Sequence, residues 1–157
     1  MDADKKTCIV QKIRNGTVVD HIETGKGLQI LSALTGALDR TMVLAINVSS
    51  ARMGRKDIIK IEDKYLEPKE QNYVALISPN ATIVTIKDFN VVKKDKAQLP
   101  EQIKGVIKCK NPACVSNREP DIECEFRMIS KKLSAEKPNA CGARRLKCIY
   151  CEHETEV

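Results

Sequence analysis

Cys109-Lys110-Asn111-Pro112-Ala113-Cys114 and, thirty-three residues later, Cys148-Ile149-Tyr150-Cys151 decide how the C-terminal part of this chain folds. Two residues between the second pair is the spacing of a thiolate knuckle, whose sulfurs reach one tetrahedral ion. The first pair has a slightly longer loop, still within the range of zinc ligands. Cys109, Cys114, Cys148 and Cys151 are therefore expected to form a closed structural Zn(2+) site, one ion per chain, with no position open to a substrate. The segment between the pairs has room for a hairpin or a three-stranded ribbon. Two other readings compete. Buried free cysteines are ordinary small apolar core residues, but a core does not require knuckle spacing at both ends of a short polar segment. Disulfides need an oxidising compartment. Met1-Asp2-Ala3-Asp4-Lys5-Lys6 is not followed by an apolar stretch long enough for export, so a cytoplasmic location is expected.

The remaining cysteines read differently. Ile122, Cys124, Phe126 and Met128 alternate along one strand face, which makes Cys124 a core residue. Cys141 precedes Gly142 in a loop, is out of knuckle register and reads as a free thiol. Cys8 lies in an apolar run and reads as core.

The chain has 157 residues, enough for one ordinary domain or two small ones. A unit of about 50 residues cannot bury a sufficient core alone, so a metal clip suits the C-terminal part. An apolar content of 42% fits a globular chain, and the longest apolar runs are far too short to span a bilayer, so no membrane role is expected. The net charge of +6 invites anionic partners. With three Tyr, two Phe and no Trp, the chain lacks the stacking platforms of single-strand nucleic-acid binders. The charge is also spread out, and a small polyanion or an acidic protein partner fits as well as nucleic acid does; the expectation is no nucleic-acid partner.

Upstream, Cys8 to Ile13 reads as a strand, Arg14-Asn15-Gly16 as a hairpin turn, and Thr17 to Ile22 as a second extended run. Gly25 to Leu34 carries apolar residues at three and four spacing and reads as a helix stopped by Gly36. Thr41 to Asn47 is apolar on both faces, so it is expected to be buried on both sides or covered by another subunit. After a loop from Ser49 to Gly54, Asp57 to Glu62 alternates, with Ile59 and Ile61 on one face and Ile58, Lys60 and Glu62 on the other. Glu67 to Ile77 is a helix ended by Ser78-Pro79-Asn80; Ala81 to Ile86 and Phe89 to Val92 are strands. The order predicts an α+β fold with a ferredoxin-like, split βαβ N-terminal domain. Lys93 to Pro100 turns charged and reads as the linker, which gives domains at residues 1–98 and 99–157, the second a small all-β zinc ribbon.

Taken together, Gly16-Thr17-Val18-Val19-Asp20-His21-Ile22, Met53-Gly54-Arg55-Lys56-Asp57-Ile58-Ile59-Lys60-Ile61-Glu62, Pro79-Asn80-Ala81-Thr82 and the cysteine quartet closely resemble the regulatory chains of aspartate carbamoyltransferase, over nearly the whole length. The resemblance implies a non-catalytic allosteric subunit in pyrimidine biosynthesis, inhibited through CTP, often with UTP, and activated through ATP. It implies a homodimer joined through the N-terminal domains, and zinc domains docked on separate catalytic chains. The whole would be a heterododecamer of two catalytic trimers and three regulatory dimers. It also implies the effector site. Asp20 and Lys60 would hold the ribose, with Lys60 near the base. Lys94 would bind phosphate, with His21 and Lys56 beside it. Backbone groups of Ile13, Phe89 and Val91, with Ile86 as an apolar wall, would hold the base. Phe89 stands where the family pattern has tyrosine, and Lys12 and Val84 also depart from it. Asn111, Glu119, Tyr150 and Glu152 match and would lie near the face toward the catalytic chain.

The residues themselves suit such a ligand, because a nucleoside triphosphate needs ammonium groups for phosphate and acceptors for ribose hydroxyls. Taken singly, each lysine would be a solvated surface charge. Asp20 and His21 are neighbours on a strand and should point to opposite faces, which argues against a catalytic dyad. The rival reading is a nucleic-acid-binding zinc ribbon, which would show steep salt dependence of binding. An enzyme would need an open metal position or a nucleophile with a base, and His21 and His153 supply neither.

Overall fold

The computed structural model describes residues 11–34, 39–131 and 144–157. Strand β1 (Gly16–Ile22) lies at the centre of a five-stranded antiparallel sheet. Its Thr17, Val18, Val19 and Ile22 are β-branched and suit a pleated, half-buried surface. Helix α1 (Gly27–Ala33) leads to β2 (Met42–Ser50) and β3 (Gly54–Glu62); helix α2 (Pro68–Ile77) leads to β4 (Thr82–Lys87) and β5 (Asn90–Lys96). The spatial order is β2-β3-β1-β4-β5. Its first four members make the split βαβ sheet, and β5 is added at the edge. The two helices cover one face: Ile30, Leu34, Val74, Ala75 and Ile77 pack on Val19, Ile22, Ile59, Ile61 and Ile83. Glu67 starts α2 through a reciprocal capping box with Glu70, followed by a proline whose missing N–H is harmless there.

A second antiparallel sheet runs β6 (Gln102–Lys104), β7 (Glu125–Lys131), β8 (Arg144–Cys148) and β9 (Glu154–Glu156), with the short helix α3 (Val115–Arg118) before β7. Ile103, Phe126 and Leu146 bury with Cys109, Cys114, Cys124 and Cys148; Leu76 of α2 joins this core, and Leu99 and Val157 border both cores. Cys124 is thus a core residue, whereas Cys8 and Cys141 lie outside the described residues. Among the described residues no helix is long and apolar enough to cross a membrane.

Several local expectations change. Gln11 to Ile13 is not a strand, Cys8 to Val10 is outside the described residues, and Asn15-Gly16 joins no hairpin among them. Gly16 instead lets β1 approach β3: a Cβ there would stand 2.1 Å from the Ile61 carbonyl oxygen, and its φ is +133°. The loop from Ser49 shrinks to a short turn because β2 runs to Ser50 and β3 starts at Gly54. Lys93 to Lys96 is not linker but the end of β5, since its backbone pairs with β4 from Thr82 to Thr85. Phe89 sits in the β4–β5 turn with Asp88, both at positive φ, the geometry of a tight hairpin. In the single chain β2 is an edge strand that leaves Val43 and Ile46 exposed, rather than buried on both sides.

Candidate metal centre and binding face

The four sulfurs of Cys109, Cys114, Cys148 and Cys151 lie within 4.8 Å of one another. Cys109 and Cys151 are 3.5 Å apart, and Cys114 and Cys148 3.8 Å. Tetrahedral zinc with bonds of about 2.3 Å would space its sulfurs about 3.8 Å apart, so the quartet fits that ion. Local backbone bonds shape each knuckle. Asn117 donates from Nδ2 to the carbonyls of Cys109 and Asn111, both at 2.8 Å, and Cys114 caps α3. The Cys148 amide donates to the His153 carbonyl at 3.0 Å, so His153 supports the second knuckle through its backbone. Burial pushes the Cys109 thiol up to about 12 and raises Cys148 as well. The His153 amide at its sulfur draws half-buried Cys151 down to about 7. Such a quartet ionises together only with a cation at its centre.

The candidate binding face is the side of the first sheet opposite the helices. Residues directly across an antiparallel ladder share a face. Lys60 pairs with Val18, Val18 with Val84, and Val84 with Lys94, so one row reads Lys60–Val18–Val84–Lys94. The next row is Asp20–Thr82–Lys96. Ile86 lies opposite Gly16 and Val91 at the far end. There the Phe89 amide donates to the Arg14 carbonyl at 2.9 Å, and Lys60 Nζ donates to the Gln11 carbonyl at 2.8 Å. Ile13, between those carbonyls, is buried, while Phe89 and Val91 are exposed.

Asp20 and His21 do not obey simple alternation. The register of β1 against β3 shifts between Val19 and Ile22, and His21 has a φ of 57°. The bulge keeps Val19 and Ile22 both in the core and leaves Asp20 and His21 on the same side. His21 Nδ1 lies 3.4 Å from Asp20 Oδ2, its amide donates to Asp20 Oδ1 at 2.7 Å, and Lys56 Nζ reaches that oxygen at 2.7 Å. Burial opposes ionisation of Asp20, but Lys56 and the His21 amide outweigh it and hold the carboxyl below its usual value. Burial also lowers the His21 imidazole, and Lys56, Arg52 and Lys94 lower it further against the pull of Asp20. His21 Nδ1 is a buried atom without a hydrogen-bond partner among the described residues. The pair carries no nucleophile, so the cluster has the makings of a binding site and not of a catalytic dyad.

The structure therefore brings Asp20, His21 and Lys56 into direct contact, sets Lys60 and Lys94 on the same face, and gathers Ile13, Ile86, Phe89 and Val91 at one end. Sequence reasoning missed Arg52 in the β2–β3 turn and Thr82 and Lys96 beside Asp20, because membership of a row depends on strand register.

Two family models match the chain: the allosteric domain of the aspartate carbamoyltransferase regulatory chain over residues 8–98, and the metal-binding domain of the same chain over 101–157. A regulatory chain from Thermococcus sibiricus is 45% identical over 147 residues, covering 94% of this chain and 91% of the relative. One from Saccharolobus solfataricus is 45% identical, covering 92% and 86%; one from Thermoplasma acidophilum is 40% identical, covering 94% and 93%. Neither a nucleic-acid-binding ribbon nor a catalytic chain is favoured by these likenesses. This two-sheet chain, with a four-cysteine cluster beside one sheet and a cationic face on the other, belongs to the family of aspartate carbamoyltransferase regulatory chains.

Proposed function

We propose that this chain binds nucleoside triphosphates on the face bearing Asp20, His21, Lys56, Lys60 and Lys94, and relays their binding to a catalytic chain docked on its metal domain. The observation that carries the reading is the gathering of Lys56, Arg52 and Lys94 around Asp20 and His21, with Lys60 on the same sheet face, which no helix covers among the described residues. The ribose hydroxyls would meet Asp20 and Lys60, the phosphates Lys94, His21 and Lys56. The base would lie against Ile86 and the backbone of Ile13, Phe89 and Val91. CTP and UTP would inhibit and ATP activate, each by its different affinity for the two states of the assembly.

The ion held by Cys109, Cys114, Cys148 and Cys151 is zinc, and its part is to stiffen the second sheet. The division lies between residues 98 and 99. Exposed Val115, Ile149 and Tyr150 beside the knuckles offer a docking face for the catalytic chain. Exposed Leu28, Val43 and Ile46 on α1 and the β2 edge suit a second copy of this chain. Three such dimers would join two catalytic trimers, in the cytoplasm, where thiols stay reduced. Titration calorimetry with CTP, UTP and ATP tests the effector site. Lys60→Ala should weaken nucleotide binding about tenfold, as the loss of a charged hydrogen bond does, and leave the zinc content unchanged. Unaltered affinity would remove Lys60 from the site.

A further inference from the structure

The metal domain grips helix α2 at both ends. Arg144 Nη1 donates to the Ala75 carbonyl at 2.7 Å. Within a helix that carbonyl would accept the amide four residues on, but residue 79 is proline and has no N–H. Arg144, from the other sheet, fills the vacancy and places a cation at the negative helix end. In the first turn Lys69 pairs with Glu123 of the metal domain. Gly105 clears the space: its φ is +66°, and a Cβ there would lie 2.9 Å from both Glu123 Oε1 and Lys69 Nζ. Next to the second of these points Leu76, 1% exposed, inserts into the metal-domain core.

Lys69 and Ala75 are separated by about 9 Å along the helix axis. Two grips that far apart fix an orientation, where one would leave a pivot. The rest of the junction is not packed solid, for a cavity of about 360 Å³ lies there, lined in part by Pro79, Lys96, Leu99, Met128 and Arg144. Lys96 also stands in the row of Asp20 and Thr82, so the binding face reaches this cavity along β5.

We propose that Lys69, Glu123 and Arg144 are positioning residues that lock the metal domain to α2, so that a change at the binding face turns the metal domain as one body. The proposal rests on the effector reading above. An exposed ion pair contributes little stability, and Lys104 also faces Glu123; charge reversal is therefore a sharper test than deletion. In the holoenzyme reassembled with its catalytic chain, two quantities are measured: the Kd for CTP and the CTP-induced shift in half-saturation by aspartate. Lys69→Glu, Glu123→Lys and Arg144→Met should each shrink the shift about threefold or more, with CTP affinity held within about twofold and zinc content intact. Lys69→Glu combined with Glu123→Lys should restore the response, which loss of stability alone would not do. If the wild type responds and the single reversals respond equally, or the double reversal is no better than either, the proposal is overturned. A wild-type holoenzyme that binds CTP, UTP and ATP without any shift overturns the effector reading and this proposal together.

Discussion

At His21 the backbone enters the left-handed region, and the imidazole faces Asp20 on one side and Lys56, Arg52 and Lys94 on others. Because burial and these cations depress its folded pKa below 6.5, the folded chain takes up this proton less readily than the unfolded chain. Stability from this site is complete above 6.5 and is lost as pH falls from there through the folded value. His21→Gln should remove that loss. The stability gap between wild type and variant, measured by urea unfolding, should be constant above 6.5 and shift in favour of the variant below it; a pH-independent gap would refute the placement. Asp20 is also depressed, so its contribution is complete above 3.8 and lost as pH falls through its folded value. The residue types of this cluster were legible in the sequence through Asp20-His21 and Lys56. Their contact was not, because strand alternation sends neighbours apart and only the bulge reverses this.

Asp57 shows how elements are held. It is fully buried, and its carboxylate accepts the amides of Gly25, Gly27 and Asn47 at 2.9, 3.0 and 2.9 Å. One side chain on β3 thus fixes the start of α1 and the irregular stretch of β2, where the register against β3 shifts between Ala45 and Val48 and Asn47 has a φ of 58°. Removing it leaves buried amides without acceptors, each costing about 1–3 kcal/mol. Asp57→Ala should destabilise the chain by about 3 kcal/mol or more, read from its urea midpoint; a loss under about 1 kcal/mol would mean water replaces the carboxylate. The alternation of Ile59 and Ile61 against Lys60 revealed β3 from the sequence alone. The charged run at Lys93 to Lys96 concealed the second half of β5, because an edge strand exposed to water needs no apolar alternation.

For the whole molecule, the two sheets differ in what supports them. The helix-covered sheet has its own apolar core, whereas five cysteines, the clustered four among them, lie within or beside the small second core. Stripping the metal with a strong chelator should therefore unfold the β6–β9 sheet and release the catalytic chain. Nucleotide binding by the first sheet should survive. Hydrogen exchange would show it, and protected β7 and β8 amides after full metal loss would contradict it. Ile46→Lys, on the exposed β2 edge, should weaken self-association about tenfold or more without altering zinc content, since charge on an open edge opposes pairing. Sedimentation decides, and an unchanged dimer would place the contact elsewhere.

Spacing along the chain was enough to single out Cys109, Cys114, Cys148 and Cys151, whose sulfurs do cluster within 4.8 Å, since loops of four and two residues each bring a pair of sulfurs together locally. The strand and helix periods likewise carried the split βαβ order. Which side chains share the binding face was decided only in three dimensions. Lys60 and Lys94 share one row, with Val18 and Val84 between them, and Asp20 turns toward Lys56, through cross-strand register and a single extra residue in β1. Register is set by long-range pairing and core packing, and a slip of one residue would move every side chain of a strand to the other side.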